Sequence, residues 1–106
     1  MPNVKIKYEL RVPNGLSVEE LVFEHTQVDL AKDKDPADPN LFKSLEAYSA
    51  YPSDDQLRIK LLANGQEGFA WTLKVWANDK SITDTPIEIS CNSMGKADYD
   101  DKIRWK

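Results

Sequence analysis

One cysteine, one histidine and four glycines leave this chain of 106 residues short of the side chains on which most covalent, metal and phosphate chemistry depends. With Cys91 alone, no intrachain disulfide and no cysteine-based zinc site can form. Its parity in an alternating segment also marks it as a small buried hydrophobe, not an exposed thiolate. His25 has no histidine partner, and no HExxH-like spacing surrounds it, so a metal would have to be held by carboxylates. Gly65 and Gly68 do not follow the G-x-x-x-x-G-K pattern of a phosphate loop, and no G-x-S-x-G nucleophile elbow is present. These gaps count against an enzyme, and no catalytic residue is assigned.

Long apolar runs are missing too, which removes a membrane-spanning helix. The start, Met1-Pro2-Asn3-Val4-Lys5, lacks the basic and apolar blocks of a secretory leader; with the lone cysteine, this favours a reducing, cytoplasmic setting. Positive charge is in deficit, with 14 lysines and arginines against 18 acidic residues and a net charge of -4. Phosphate binding needs a cationic field, so this balance counts against nucleic acid and anionic membranes.

What is present is alternation. Val4, Ile6, Tyr8, Leu10 and Val12 share one parity while Lys5, Lys7, Glu9 and Arg11 share the other, the mark of a half-buried antiparallel strand. Pro13-Asn14-Gly15 ends it. Residues 16–31 carry a capping-box pattern, Ser17-Val18-Glu19-Glu20, but the β-branched and aromatic content of Val22 to Val28 favours a strand. Leu21 and Phe23 differ in parity from Val28 and Leu30, so a β-bulge is expected near His25 to Gln27.

Ala31 to Asn40 reads as a loop. Its aspartates, Asp33, Asp35 and Asp38 with Asp29 just before, suggest calcium; the EF-hand register fails, because Ala37, Asp38 and Ser44 occupy positions that need a ligand, a glycine and a glutamate. No metal or other cofactor is assigned. Leu41, Phe42, Leu45 and Tyr48 fall on one side of a helix that Asn40 would cap and Pro52 would end. Beyond it, Leu57, Ile59 and Leu61 face inward, Asn64-Gly65 offers turn chemistry, and Phe69, Trp71, Leu73 and Val75 run back as a hairpin. Ile87, Ile89 and Cys91 would pair with a last strand, Tyr99 to Trp105, as a second hairpin. The sum is a single domain over residues 1–106, mainly β: an antiparallel sandwich or open barrel of about six strands with one short helix around residues 41–51.

Trp76 breaks the pattern of that chain. It shares the outward parity of Thr72 and Lys74, and in a hairpin with the preceding strand it would stand near Arg58 and Lys60. Lys5, Lys7, Arg11, Lys102 and Arg104 also fall on sheet surfaces, so the sheet faces are expected to be locally basic. An aromatic plate flanked by cations suits stacking a ring or anchoring a partner. A tryptophan covered by the 41–51 helix accounts for the same parity. Trp76, Lys74, Arg58 and Lys60 therefore form the candidate ligand site of a non-catalytic binding module for a carbohydrate or protein partner. The alternative is a small acidic interaction or assembly protein, antitoxin-like, whose aspartates steer a basic protein partner.

Overall fold

The structure is a computed structural model describing residues 3–106; Met1 and Pro2, part of the segment read above for a leader, lie outside the described residues. Two antiparallel sheets face each other. Sheet A is built on β1 (Val4–Arg11) and β7 (Ala70–Ala77). Both β4 (Leu41–Lys43) and β5 (Tyr48–Ala50) pair with the free side of β1, and both β8 (Lys80–Ser81) and β9 (Ile87–Ser90) pair with the free side of β7. Sheet B runs in the order β10 (Tyr99–Arg104), β6 (Gln56–Gly65), β2 (Leu16–Phe23), β3 (Thr26–Gln27). The result is a mainly β, sandwich-like fold in which, among the described residues, there is one short helix and no helix long and apolar enough to cross a membrane.

The core is the inward parity of four long strands. Val4, Ile6, Tyr8 and Leu10 from β1 and Trp71, Leu73 and Val75 from β7 meet Leu21 and Phe23 from β2 and Leu57, Ile59 and Leu61 from β6, all essentially without exposure. Burying each large apolar side chain contributes about 1.5–3 kcal/mol. Trp71 donates its indole N–H to Ala97 O at 2.8 Å, so the bulkiest core residue leaves no polar group unpaired. Tyr8 carries the one phenol among these residues, and its hydroxyl finds an acceptor described below.

Neither expected hairpin forms. β6 and β7 lie in different sheets, and so do β9 and β10. Asn64-Gly65 does not turn: both residues stay in the ladder opposite Ser17 and Leu16, and neither has a positive φ. Glycine is required at 65 for a different reason, since a Cβ there would stand 2.8 Å from Gly15 O. The chain then crosses from sheet B to sheet A through Gly68, at φ +89°. A two-residue hairpin of the expected kind does occur one strand later. Asn78 and Asp79 adopt φ of 50° and 66° between Ala77 and Lys80, the paired positive values of a type I′ turn.

The helix expected at 41–51 is replaced by β4 and β5. Their backbones complete the edge of β1, with Phe42 opposite Leu10 and Tyr48 opposite Ile6. An exposed edge of unpaired N–H and C=O groups is a strong template for strand addition. Helical spacing in that segment is weak by comparison, and Leu45, expected on its apolar side, is exposed. The short helix is α1 (Leu30–Asp33), where Asp29 Oδ1 accepts from Lys32 N at 3.1 Å as the N-cap. The register irregularity lies between Val18 and Glu20 in β2, earlier than expected. It shifts parity so that Leu16, Leu21 and Phe23 all face the core. About ten strands are present among the described residues where six were expected, because short edge strands lack an alternation long enough to read.

Candidate functional site

The outer face of sheet A is set by the register of β1 on β7. Lys7 stands opposite Trp76, Glu9 opposite Lys74, and Arg11 opposite Thr72. On the flanks, Lys43 is opposite Glu9 and Ser81 is opposite Trp76. All these side chains point away from the core, since their neighbours in each strand point into it. Among the described residues no helix lies over this face: α1 packs at the edge against β4, and its one buried residue, Asp33, meets Tyr8 and Tyr48.

Trp76 is half-buried and borders a recess of about 280 Å³ lined also by Lys7, Tyr8, Glu9, Lys43, Ser44 and Asp79. The other two indoles donate to carbonyls, Trp71 to Ala97 O and Trp105 to Asp54 O, both at 2.8 Å. No such bond occupies the Trp76 N–H among the described residues. Donors and acceptors are mixed around the recess: ammonium groups from Lys7 and Lys43, carboxylates from Glu9 and Asp79, and the Ser44 hydroxyl. Lys7 Nζ lies 3.5 Å from Asp79, an exposed and weak pair. Lys43 and Lys74 make no ion pair among the described residues.

The wall carrying Lys43 and Ser44 is tied down from inside. Ser44 Oγ accepts from Tyr8 N at 3.1 Å, and Ser44 N donates to Tyr8 O at 3.2 Å. Just beneath, the hydroxyls of Tyr8 and Tyr48 both donate to Asp33 Oδ2 at 2.7 Å, and Leu45 N donates to Asp33 Oδ1 at 3.4 Å. Asp33 is almost fully buried. Burial, reinforced by the bond to Asp33, pushes the Tyr48 phenol up to about 12, and the same causes raise Tyr8.

Of the four residues singled out from sequence, Trp76 and Lys74 are together on this face. Arg58 and Lys60 are not with them; they lie on the outer face of sheet B, across the whole core, because β6 pairs with β2 and β10 instead of β7. There Arg58 makes a two-pronged bond to Asp100, Nε to Oδ1 at 2.9 Å and Nη2 to Oδ2 at 2.8 Å, and Lys60 lies 3.5 Å from Glu20. The bond from Arg58 holds the Asp100 carboxyl below its ordinary range. Lys7, Glu9, Lys43, Ser44 and Asp79 join the site instead. The outward parity of Lys7 and Glu9 was readable, but their position beside Trp76 depends on which strand β7 chooses.

The remaining candidates are occupied or remote. His25 is exposed in the turn before β3, on sheet B, and Cys91 is buried. The aspartates of the 29–40 loop serve the loop itself. Asp35 Oδ1 accepts from Ala37 N and Asp38 N, while Asp38 accepts from Asn40 N and Arg11, which together lower its pKa. No group of three histidine, cysteine or acidic side chains is close enough to hold a metal ion among the described residues. Ser44, which lines the recess beside Trp76, accepts from Tyr8 N through its Oγ. No family model matches the chain, and neither does any curated protein or solved structure.

Proposed function

We propose that this protein is a non-catalytic carbohydrate-binding module whose ligand rests on the outer face of sheet A at Trp76. The observation that carries the reading is a half-buried indole, with no hydrogen bond of its own among the described residues, set in a recess lined by both donors and acceptors. A sugar ring offers what such a recess lacks: an apolar face of C–H groups for the indole and a rim of hydroxyls that both donate and accept. A protein partner fits less well. Protein hot spots centre on apolar residues shielded from water, and lysine and glutamate are depleted there. Here Lys7, Glu9 and Lys74 are the immediate neighbours of the indole. A role in steering a basic protein is also less well supported, since Asp33, Asp35 and Asp38 are spent on internal bonds.

Calorimetric titration with soluble oligosaccharides tests the reading. Stacking a nucleic-acid base on an aromatic side chain is worth about 1–3 kcal/mol, and a pyranose face on Trp76 is expected to be of the same order. Trp76→Ala is therefore expected to weaken binding by about tenfold or more. Undiminished saccharide binding by that variant would remove Trp76 from the site and end this reading.

A further inference from the structure

The recess at Trp76 has a neighbour on the same face. A second depression of about 290 Å³ is lined by Arg11, Val12, Pro13, Asn40, Ala70 and Thr72. Arg11 and Thr72 are opposite each other in the β1–β7 register, as Lys7 and Trp76 are, four residues further along both strands. Four residues of strand span about 13 Å. A single outward row, Glu9 opposite Lys74, joins the two depressions, with Glu9 itself on the wall of the first, and it continues the same supply of donors and acceptors.

From this alignment we infer that the ligand is an extended polysaccharide chain lying along β1 and β7, with a second subsite at Arg11 and Thr72, and not a single terminal sugar. The inference rests on the carbohydrate reading of Trp76 and adds its length and direction. One pyranose ring cannot reach both depressions, whereas a short oligosaccharide can. The second subsite is polar where the first is aromatic. Its Arg11 guanidinium is steadied by Asp38 at 3.1 Å, a single contact for a group with five N–H donors, so other N–H groups remain for ring hydroxyls. Thr72 adds a hydroxyl, and Asn40, whose backbone carbonyl accepts from Val12 N at 2.9 Å, is fixed beside it. Cations and anions are nearly balanced along the track, with Lys7, Lys43, Lys74 and Arg11 against Glu9, Asp38 and Asp79. That balance matches a neutral chain of hydroxyls better than an acidic peptide.

The test is calorimetric titration of the whole protein with gluco-, xylo- and N-acetylglucosamine oligosaccharides, from monosaccharide to hexasaccharide, and with poly-L-glutamate. In the series that binds, affinity should climb with length until both subsites are filled. Arg11→Ala should then lower hexasaccharide affinity about tenfold while leaving the shortest binding sugar unchanged. Thr72→Trp, which places a second aromatic at an outward strand position, should tighten the hexasaccharide alone. Affinity that is flat with length would overturn the extended chain and leave the Trp76 reading standing. Length dependence indifferent to both substitutions would overturn the placement of the second subsite. Binding of poly-L-glutamate in place of every saccharide, or of nothing at all, would overturn the carbohydrate reading and this inference with it.

Discussion

The two outer faces of the sandwich are made from the same kind of strand and have opposite chemistry. On sheet B the charges answer one another: Arg58 with Asp100, Lys60 with Glu20, and Arg104 with Asp55 at 3.0 Å. On sheet A, Lys7 and Arg11 pair with Asp79 and Asp38 from the connections, while Lys43, on the wall of the recess beside Trp76, and Lys74, next to Trp76's row, have no ion partner among the described residues. Direct opposition does not decide this difference: Lys74 and Lys43 stand opposite Glu9 without an ion pair among the described residues, whereas Arg58–Asp100 and Lys60–Glu20 close along diagonals of the ladder. A face that leaves donors, acceptors and an aromatic plate unmatched has interactions to offer a ligand. Basic residues on both faces therefore mean different things.

The largest expected effect falls on the anchor beneath sheet A. Asp33→Ala removes the acceptor shared by Tyr8 and Tyr48, and leaving buried hydroxyls unpaired should cost about 3 kcal/mol in urea denaturation. It should also loosen the wall that carries Lys43 and Ser44. Trp76→Ala comes next, with the roughly tenfold or greater loss of saccharide affinity given above. Its counterpart on sheet B, Arg58→Ala, should leave binding unchanged and shift the unfolding midpoint only slightly, as exposed ion pairs contribute little. If Arg58→Ala weakened binding as much as Trp76→Ala, the contrast between the faces would fail. A pH titration separates the faces more gently. The fold favours neutral phenols at Tyr8 and Tyr48. Their contribution to stability is intact below the unfolded value of about 10. It is lost as pH climbs through the folded value of about 12 at Tyr48. Circular dichroism from neutral to strongly alkaline pH should show unfolding in that window, reduced in Tyr48→Phe.

How much of this was legible follows from what alternation encodes. Period two assigns a side chain to a face, so the core residues of β1, β6 and β7 and the outward position of Trp76 and Lys74 could be read directly. It does not assign a strand to a sheet. Arg58 and Trp76 are both outward, yet they are outward on opposite sides of the molecule, because β6 and β7 cross the core where a hairpin was expected. Asn64-Gly65 offered a local reason for that hairpin; the close approach of Gly15 O to Gly65 explains the glycine without one. The segment 41–51 misled in another way. Leu41, Phe42, Leu45 and Tyr48 satisfy helical spacing, but pairing with β1 and the Tyr48 bond to Asp33 are long-range gains that no local pattern reveals.

Two-dimensional NMR of the indole and backbone N–H groups during titration with the binding hexasaccharide tests the central claim most directly. The three tryptophans should give separate indole signals, since two of the indoles donate to carbonyls and that of Trp76, among the described residues, does not. The Trp76 indole should shift and saturate, together with backbone signals of Lys7, Glu9, Arg11, Thr72 and Lys74, while Arg58, Lys60 and Lys102 stay in place. Shifts confined to sheet B, or a Trp76 signal that never moves while the sugar binds, would contradict the assignment of the ligand to sheet A.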